Sequence, residues 1–232
     1  MPTQMITIKV KEGETFCIHK NVLVQHSEYF KKALDGPFIE GQTNLINLDD
    51  IPAHDFGLYV GTIYPLALSR SELELQNIWP IQNPENHPQH PWKPILLLWQ
   101  MGDRFLNVKV MSIAKAELAA KLSAYSVCEW KMRYEHTSEA SCRHRMLRLQ
   151  YAFRLCQDGG QPFEQSLVTA ASNAPPQVFA ACVDDLENDV FKSQVTKAFA
   201  LRFADPVSTA KKRKRDERKE RERQEKKLKI KE

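Results

Sequence analysis

Between residues 6 and 64 the spacing of apolar residues switches from every second position to every third or fourth, then back and over again, with turn-forming residues at each change. Ile6, Ile8 and Val10 alternate with Thr7 and Lys9, and Phe16 and Ile18 alternate with Cys17 and His19. Lys11, Glu12 and Gly13 lie between them, so the two runs read as an antiparallel hairpin with one buried face. Residues 20–34 then follow a helical period, with Leu23, Ser27, Phe30 and Leu34 on one stripe. Asp35, Gly36 and Pro37 end it, because Pro cannot continue the hydrogen-bond ladder. Residues 44–49 suggest a short third strand. Pro52 suits the first turn of a following helix, whose buried face is Phe56, Tyr59, Val60 and Ile63. So short a sheet buries its apolar face only if helices cover it, and the fold class expected is α+β.

The chain has 232 residues, 42% of them hydrophobic, enough for a sizeable core without covalent staples. Its five cysteines, Cys17, Cys128, Cys142, Cys156 and Cys182, are odd in number, scattered and free of any C-x-x-C pair. Neither a disulfide framework nor a zinc knuckle is indicated, and a reducing compartment is expected. The apolar run from Ile95 to Trp99 falls far short of the ~20 residues of a membrane span, as do all others, so a soluble protein is expected.

The order of elements over residues 16–64 also resembles the BTB/POZ domain, through His19, Lys20, Leu23, Ser27, Tyr29, Phe30, Ala33, Leu34, Phe38, Glu40, Leu48, Asp50, Phe56, Val60, Ile63 and Tyr64. The wording is most similar to BTB proteins of filamentous fungi. The resemblance implies a small three-stranded sheet covered by about five helices, ending in a helical hairpin over residues 95–122. It implies function by association: a homodimer, a heteromer or an adaptor, with other proteins as partners and no cofactor. Two features depart from the pattern. Only five residues precede the first strand, so exchange of an N-terminal segment between protomers is not expected. Tyr64, Pro65 and Leu66 stand where the family has Tyr-Thr-Gly.

Five prolines between Trp79 and Pro94 predict an exposed loop. After residue 123 a helical extension is expected, again like that of fungal relatives. Cys142, Met146, Leu149, Phe153 and Cys156 form one apolar stripe, and Phe179, Cys182, Val183, Leu186 and Val190 a second. Asp184, Asp185, Glu187 and Asp189 fall on the outer side of the latter. The division is therefore 1–123 for the BTB/POZ domain, 124–205 for the extension and 206–232 for a tail. Residues 211–232 carry 13 Lys and Arg against 6 Asp and Glu, net +7, while the preceding residues carry 20 against 23, net −3. The tail cannot bury a core, although opposite charges four apart, such as Glu217 with Arg221 and Glu222 with Lys226, favour an exposed, frayed helix.

No phosphate-binding loop, H-E-x-x-H or G-x-S-x-G pattern occurs, and an enzyme is not expected. His19, His26 and His54 form a proton relay only if the fold converges them; the plainer reading puts them at helix ends and core edges. His87 and His90, with Cys142 and His144, are the residues a metal site would draw on, but a loop seldom holds half a tetrahedral zinc shell. Arg143, Arg145, Arg148 and Arg154 read as a solvated helix face rather than a nucleic-acid surface, because few aromatic residues lie between them to stack bases.

Two segments carry interaction hypotheses. Phe38, Ile39 and Glu40 match the hydrophobic-x-Glu motif by which some BTB domains dock a cullin scaffold of ubiquitin ligases; the alternative is that Phe38 closes the core after the turn. Lys211, Lys212, Arg213, Lys214 and Arg215 form the basic cluster an import receptor recognises, predicting a nuclear, or nuclear and cytoplasmic, protein. The competing reading is a nuclear regulator of transcription or chromatin whose tail serves import or nucleic-acid contact.

Overall fold

A computed structural model describes residues 4–68, 92–136 and 138–204. Strands β1 (Met5–Val10) and β2 (Thr15–His19) form the expected antiparallel hairpin, with Ile8 opposite Phe16 and Ile6 opposite Ile18. Glu12 and Gly13 turn the chain with φ of 64° and 79°. Strand β3 (Leu45–Leu48) pairs parallel to the other edge of β1, so the sheet is mixed, in the order β2-β1-β3. Ile6, Ile8, Val10, Ile18, Ile46 and Leu48 are buried on one face, while Met5, Lys9, Cys17 and Asn47 are exposed on the other. The alternation in the sequence is thus a division between core and solvent.

The continuous helix expected over residues 20–34 is instead two helices, α1 (Lys20–His26) and α2 (Glu28–Asp35). Ser27 separates them in an extended conformation, and its side chain explains why. Its hydroxyl donates to the Phe105 carbonyl at 2.6 Å and accepts the Phe30 N–H at 3.2 Å, capping α2. A serine hydroxyl competes with the helical ladder for backbone partners, and here it wins because a distant carbonyl needs a donor. A short helix α3 (Ile39–Thr43) leads into β3, and α4 (Ala53–Ala67) places Phe56, Tyr59 and Ile63 in the core. Pro65 is accommodated inside the last turn of α4.

Helices α5 (Lys93–Arg104) and α6 (Val108–Ser123) form the expected hairpin. The proline-rich stretch does not remain a loop as far as Pro94: Trp92 is buried and Pro94 occupies the first turn of α5, where its missing N–H costs nothing. The remainder of that stretch lies outside the described residues. The hairpin is tight at Gly102, where an added Cβ would come within 2.9 Å of Met111 Cγ and 3.0 Å of its backbone nitrogen.

The extension comprises α7 (Val127–His136), α8 (Glu139–Gly159), α9 (Glu164–Ser172), α10 (Pro176–Cys182) and α11 (Asp189–Ala204). The stripe Cys142, Met146, Leu149, Phe153 and Cys156 is entirely buried along α8, which ends at Gly160 with φ 62°. The second expected stripe is interrupted. The helical run breaks after Cys182, a 3₁₀ turn follows over Val183–Asp185, and α11 starts afresh, so Val190 is exposed and Phe191 takes the buried position.

The extension shares its core with the sheet-bearing part. Trp92 packs on Tyr125, Trp99 on Phe163, and Gln161 Nε2 donates to the Leu96 carbonyl at 3.1 Å. Trp130 is fully buried, with its indole N–H donating to Ala170 O at 3.0 Å. Arg145 is no part of a solvated face: its guanidinium lies 4.2 Å from the Tyr125 ring centre and donates to the Ala124 carbonyl. Arg148 is also half-buried, whereas Arg154 and Arg143, which pairs with Asp185, are exposed as expected.

Replacing Ser27 by Ala strips the cap from α2 and leaves the buried Phe105 carbonyl without its donor. Capping losses of about 0.5–2 kcal/mol and unpaired buried acceptors of about 1–3 kcal/mol set the scale. Thermal denaturation of Ser27→Ala is expected at a midpoint about 4–8 °C lower.

Candidate protein-interaction surface

The corner between α2 and α3 decides what Phe38, Ile39 and Glu40 can touch. Gly36 donates its N–H to Lys32 O at 3.0 Å, closing α2, and Pro37 then carries the chain away. A Cβ on Gly36 would stand 2.4 Å from Lys32 O and 2.9 Å from the Phe38 ring, so the ring lies directly over the glycine. A Cβ on Gly41 would meet Leu34 O at 2.8 Å. Two missing side chains thus let α3 fold back closely against the end of α2. Lys20 fastens the same corner from α1, donating to Leu34 O at 3.1 Å and pairing with Asp35 at 2.8 Å. At its far end α3 is closed by Asn44 in the left-handed conformation, whose carbonyl accepts the Thr7 N–H.

On this support Phe38 is 53% exposed and Ile39 69% exposed, while Glu40 is half-buried. Phe38 therefore does not close the core. Two large apolar side chains thus stand in solvent next to a carboxylate.

Tyr29, Asp50 and Arg104 belong to the same neighbourhood. Arg104 grips Asp50 with both terminal nitrogens, one at 2.8 Å, and holds the Asp50 carboxyl below its ordinary pKa. Burial pushes the Tyr29 phenol up, and the Arg104, Glu40 and Asp50 charges all act on it, placing the four groups within electrostatic reach. Leu106 and Val108, at the turn between α5 and α6, are exposed apolar residues as well. Nothing in the sequence marked Arg104, since its pairing depends on two elements 54 residues apart.

The histidines do not converge. The His19 Nδ1 atom sits 3.0 Å from the Tyr64 hydroxyl, His54 pairs with Asp55 at 3.1 Å, and His26, packed near Lys109, has its pKa lowered mainly by burial. Cys142 points into the core and His144 is exposed, so the two do not share a face, and His87 and His90 lie outside the described residues. Among the described residues no cluster of His, Cys, Asp or Glu is arranged to hold a metal, and no helix is long and apolar enough to cross a membrane. Lys211, Lys212, Arg213, Lys214 and Arg215 also lie outside the described residues.

The mixed sheet, the broken α1–α2 pair and the exposed α3 corner all lie within residues 5–82. Those residues match the family model of the BTB/POZ domain. The BTB/POZ domain is a protein–protein interaction module, in keeping with a surface that offers apolar anchors. The match covers about a third of the chain and leaves the hairpin and the extension outside it. No curated protein matches the chain.

Because Phe38 and Glu40 lie outside the core, the double substitution Phe38→Ala, Glu40→Ala is expected to leave stability within about 0.5 kcal/mol, as surface changes do. Gly36→Ala, by contrast, forces its new methyl against the Lys32 carbonyl and is expected to cost about 1–3 kcal/mol. Denaturant unfolding of the two variants side by side checks both.

Proposed function

We propose that this chain is an adaptor whose BTB/POZ domain docks a cullin scaffold of a ubiquitin ligase through Phe38, Ile39 and Glu40. The observation that carries the reading is the exposure of Phe38 and Ile39 on a corner held rigid by two glycines and Lys20. A rigid corner loses little conformational freedom on binding, so more of the apolar contact appears as affinity. The Glu40 carboxylate fixes register with a charge-assisted hydrogen bond to the partner. Oligomerisation through the same domain is compatible with this surface, as is kinship with fungal members, which rests on the sequence wording alone. Co-purification of the full chain with a cullin is the test. The Phe38→Ala, Glu40→Ala chain should lose the cullin at least tenfold while its melting midpoint stays put; full retention sinks the assignment.

Lys211, Lys212, Arg213, Lys214 and Arg215 support a second element of the proposal, entry into the nucleus through an import receptor. The charge of the chain favours it: the basic excess is confined to residues 211–232, whereas everything before them is net acidic. The same tail serves the alternative reading, a nuclear regulator of transcription or chromatin that associates through its BTB/POZ domain. Residues 206–232 fused to a cytosolic fluorescent reporter are expected to concentrate it in nuclei. An even distribution through the cell would count against import.

A further inference from the structure

A second surface lies apart from the α3 corner, where α6 and α9 pass each other. The two helices touch but do not fill the space between them, leaving an open groove of about 460 Å³. Leu118 and Leu122, one helical turn apart on α6, line it together with Phe163 and Ala170. Ala119 also lines it, and because the side chains of Ala119 and Ala170 end at Cβ, neither helix closes the gap. The rim is polar, with Gln165 and Ser166 exposed on one side and Lys115 exposed on the other.

Charge and shape narrow what fits. Lys115 is the one formally charged residue of the lining, and no salt bridge among the described residues engages it. The neighbouring Glu117 is committed to Lys121 at 3.5 Å. An apolar floor beside a lysine that pairs with no described acidic residue calls for aliphatic side chains accompanied by a carboxylate. Small-molecule sites bury roughly 70–90% of their ligand, whereas this groove is open to solvent and covers only one side of an occupant. A second copy of the chain meeting it face to face brings the same patch, hence no carboxylate for Lys115. A helix laid in a groove with anchors at i and i+4 satisfies every term.

We propose that the groove between α6 and α9 docks an acidic amphipathic helix of a partner protein, independently of the α3 corner. The full chain panned against a displayed library of helix-forming peptides tests this, with affinities of enriched peptides read by fluorescence anisotropy. Enriched sequences are expected to carry Leu, Ile or Phe four residues apart with Asp or Glu a turn away. Ala119→Trp, which fills the groove from an exposed position, should weaken them at least tenfold. Lys115→Glu should weaken them too and be rescued by Lys in place of the peptide's acid, while Phe38→Ala should change nothing. Circular dichroism checks that each variant is folded, and Lys115→Glu, a change at an exposed side chain, decides the matter if Ala119→Trp is not. The proposal is overturned if no peptide is enriched, whether or not a second copy or another segment of the chain covers the groove. Binding insensitive to both groove substitutions, or enrichment without acidic residues, overturns it equally.

Discussion

The buried polar junction at Ser27, Tyr59, Phe105 and Asn107 is the constraint on which the packing of α1, α2, α4, α5 and α6 depends. Four elements meet there: the break between α1 and α2, the middle of α4, the end of α5 and the start of α6. Ser27 supplies the donor that the Phe105 carbonyl lacks at the end of α5. Asn107 caps α6 through the Val110 N–H and donates to the Tyr59 hydroxyl at 3.0 Å. Burial drives the Tyr59 phenol up to about 12, so it stays protonated and keeps its hydrogen bonds, the Ser27 hydroxyl among its partners. Around the junction Phe30, Phe56, Tyr59 and Phe105 pack ring against ring at 4.8–6.4 Å. Buried polar groups of this kind are costly if any one loses its partner, so together they permit a single arrangement of the helices.

From that junction the core runs on into the extension. Sharing of Trp92 with Tyr125, of Trp99 with Phe163 and of Leu96 O with Gln161 means that the helices beyond residue 123 have no separate interior of their own on that side. Arg145 shows how strongly this context overrides composition. A residue that reads as solvated lies over Tyr125 and Trp130 and satisfies a backbone carbonyl, because the aromatic faces attract its charge and its long stem covers apolar surface. One consequence is that the extension holds the α5–α6 hairpin rather than hanging from it.

The two surfaces argued for above arise from opposite uses of small residues. At the α3 corner Gly36 and Gly41 allow backbone to approach backbone, which drives Phe38 and Ile39 outward. Between α6 and α9, Ala119 and Ala170 keep helices from meeting side chain to side chain, which leaves a trough. Projection suits a partner with a pocket, and a trough suits a partner with a ridge.

The period-two runs at Ile6, Ile8 and Val10 and at Phe16 and Ile18, the turn at Asp35, Gly36 and Pro37, and the buried stripe of α8 were all legible from the chain, because each reflects a local rule about which face meets solvent. The motif Phe38, Ile39, Glu40 was legible as a pattern as well. Its exposure was not, since that depends on a glycine packing against a carbonyl four residues back. Position 27 looked like a small residue on a helical stripe, and only the arrival of Phe105, 78 residues later, made it a helix break. The stripe through Val190 failed for a related reason, as the chain could restart a helix with Phe191 inward once α8 supplied Phe153 to receive it. Local periodicity thus determined the strands and most helices of this protein. Tertiary structure decided where helices break, which arginines are half-buried and which apolar residues are left facing solvent, because those outcomes turn on partners that no neighbouring residue announces.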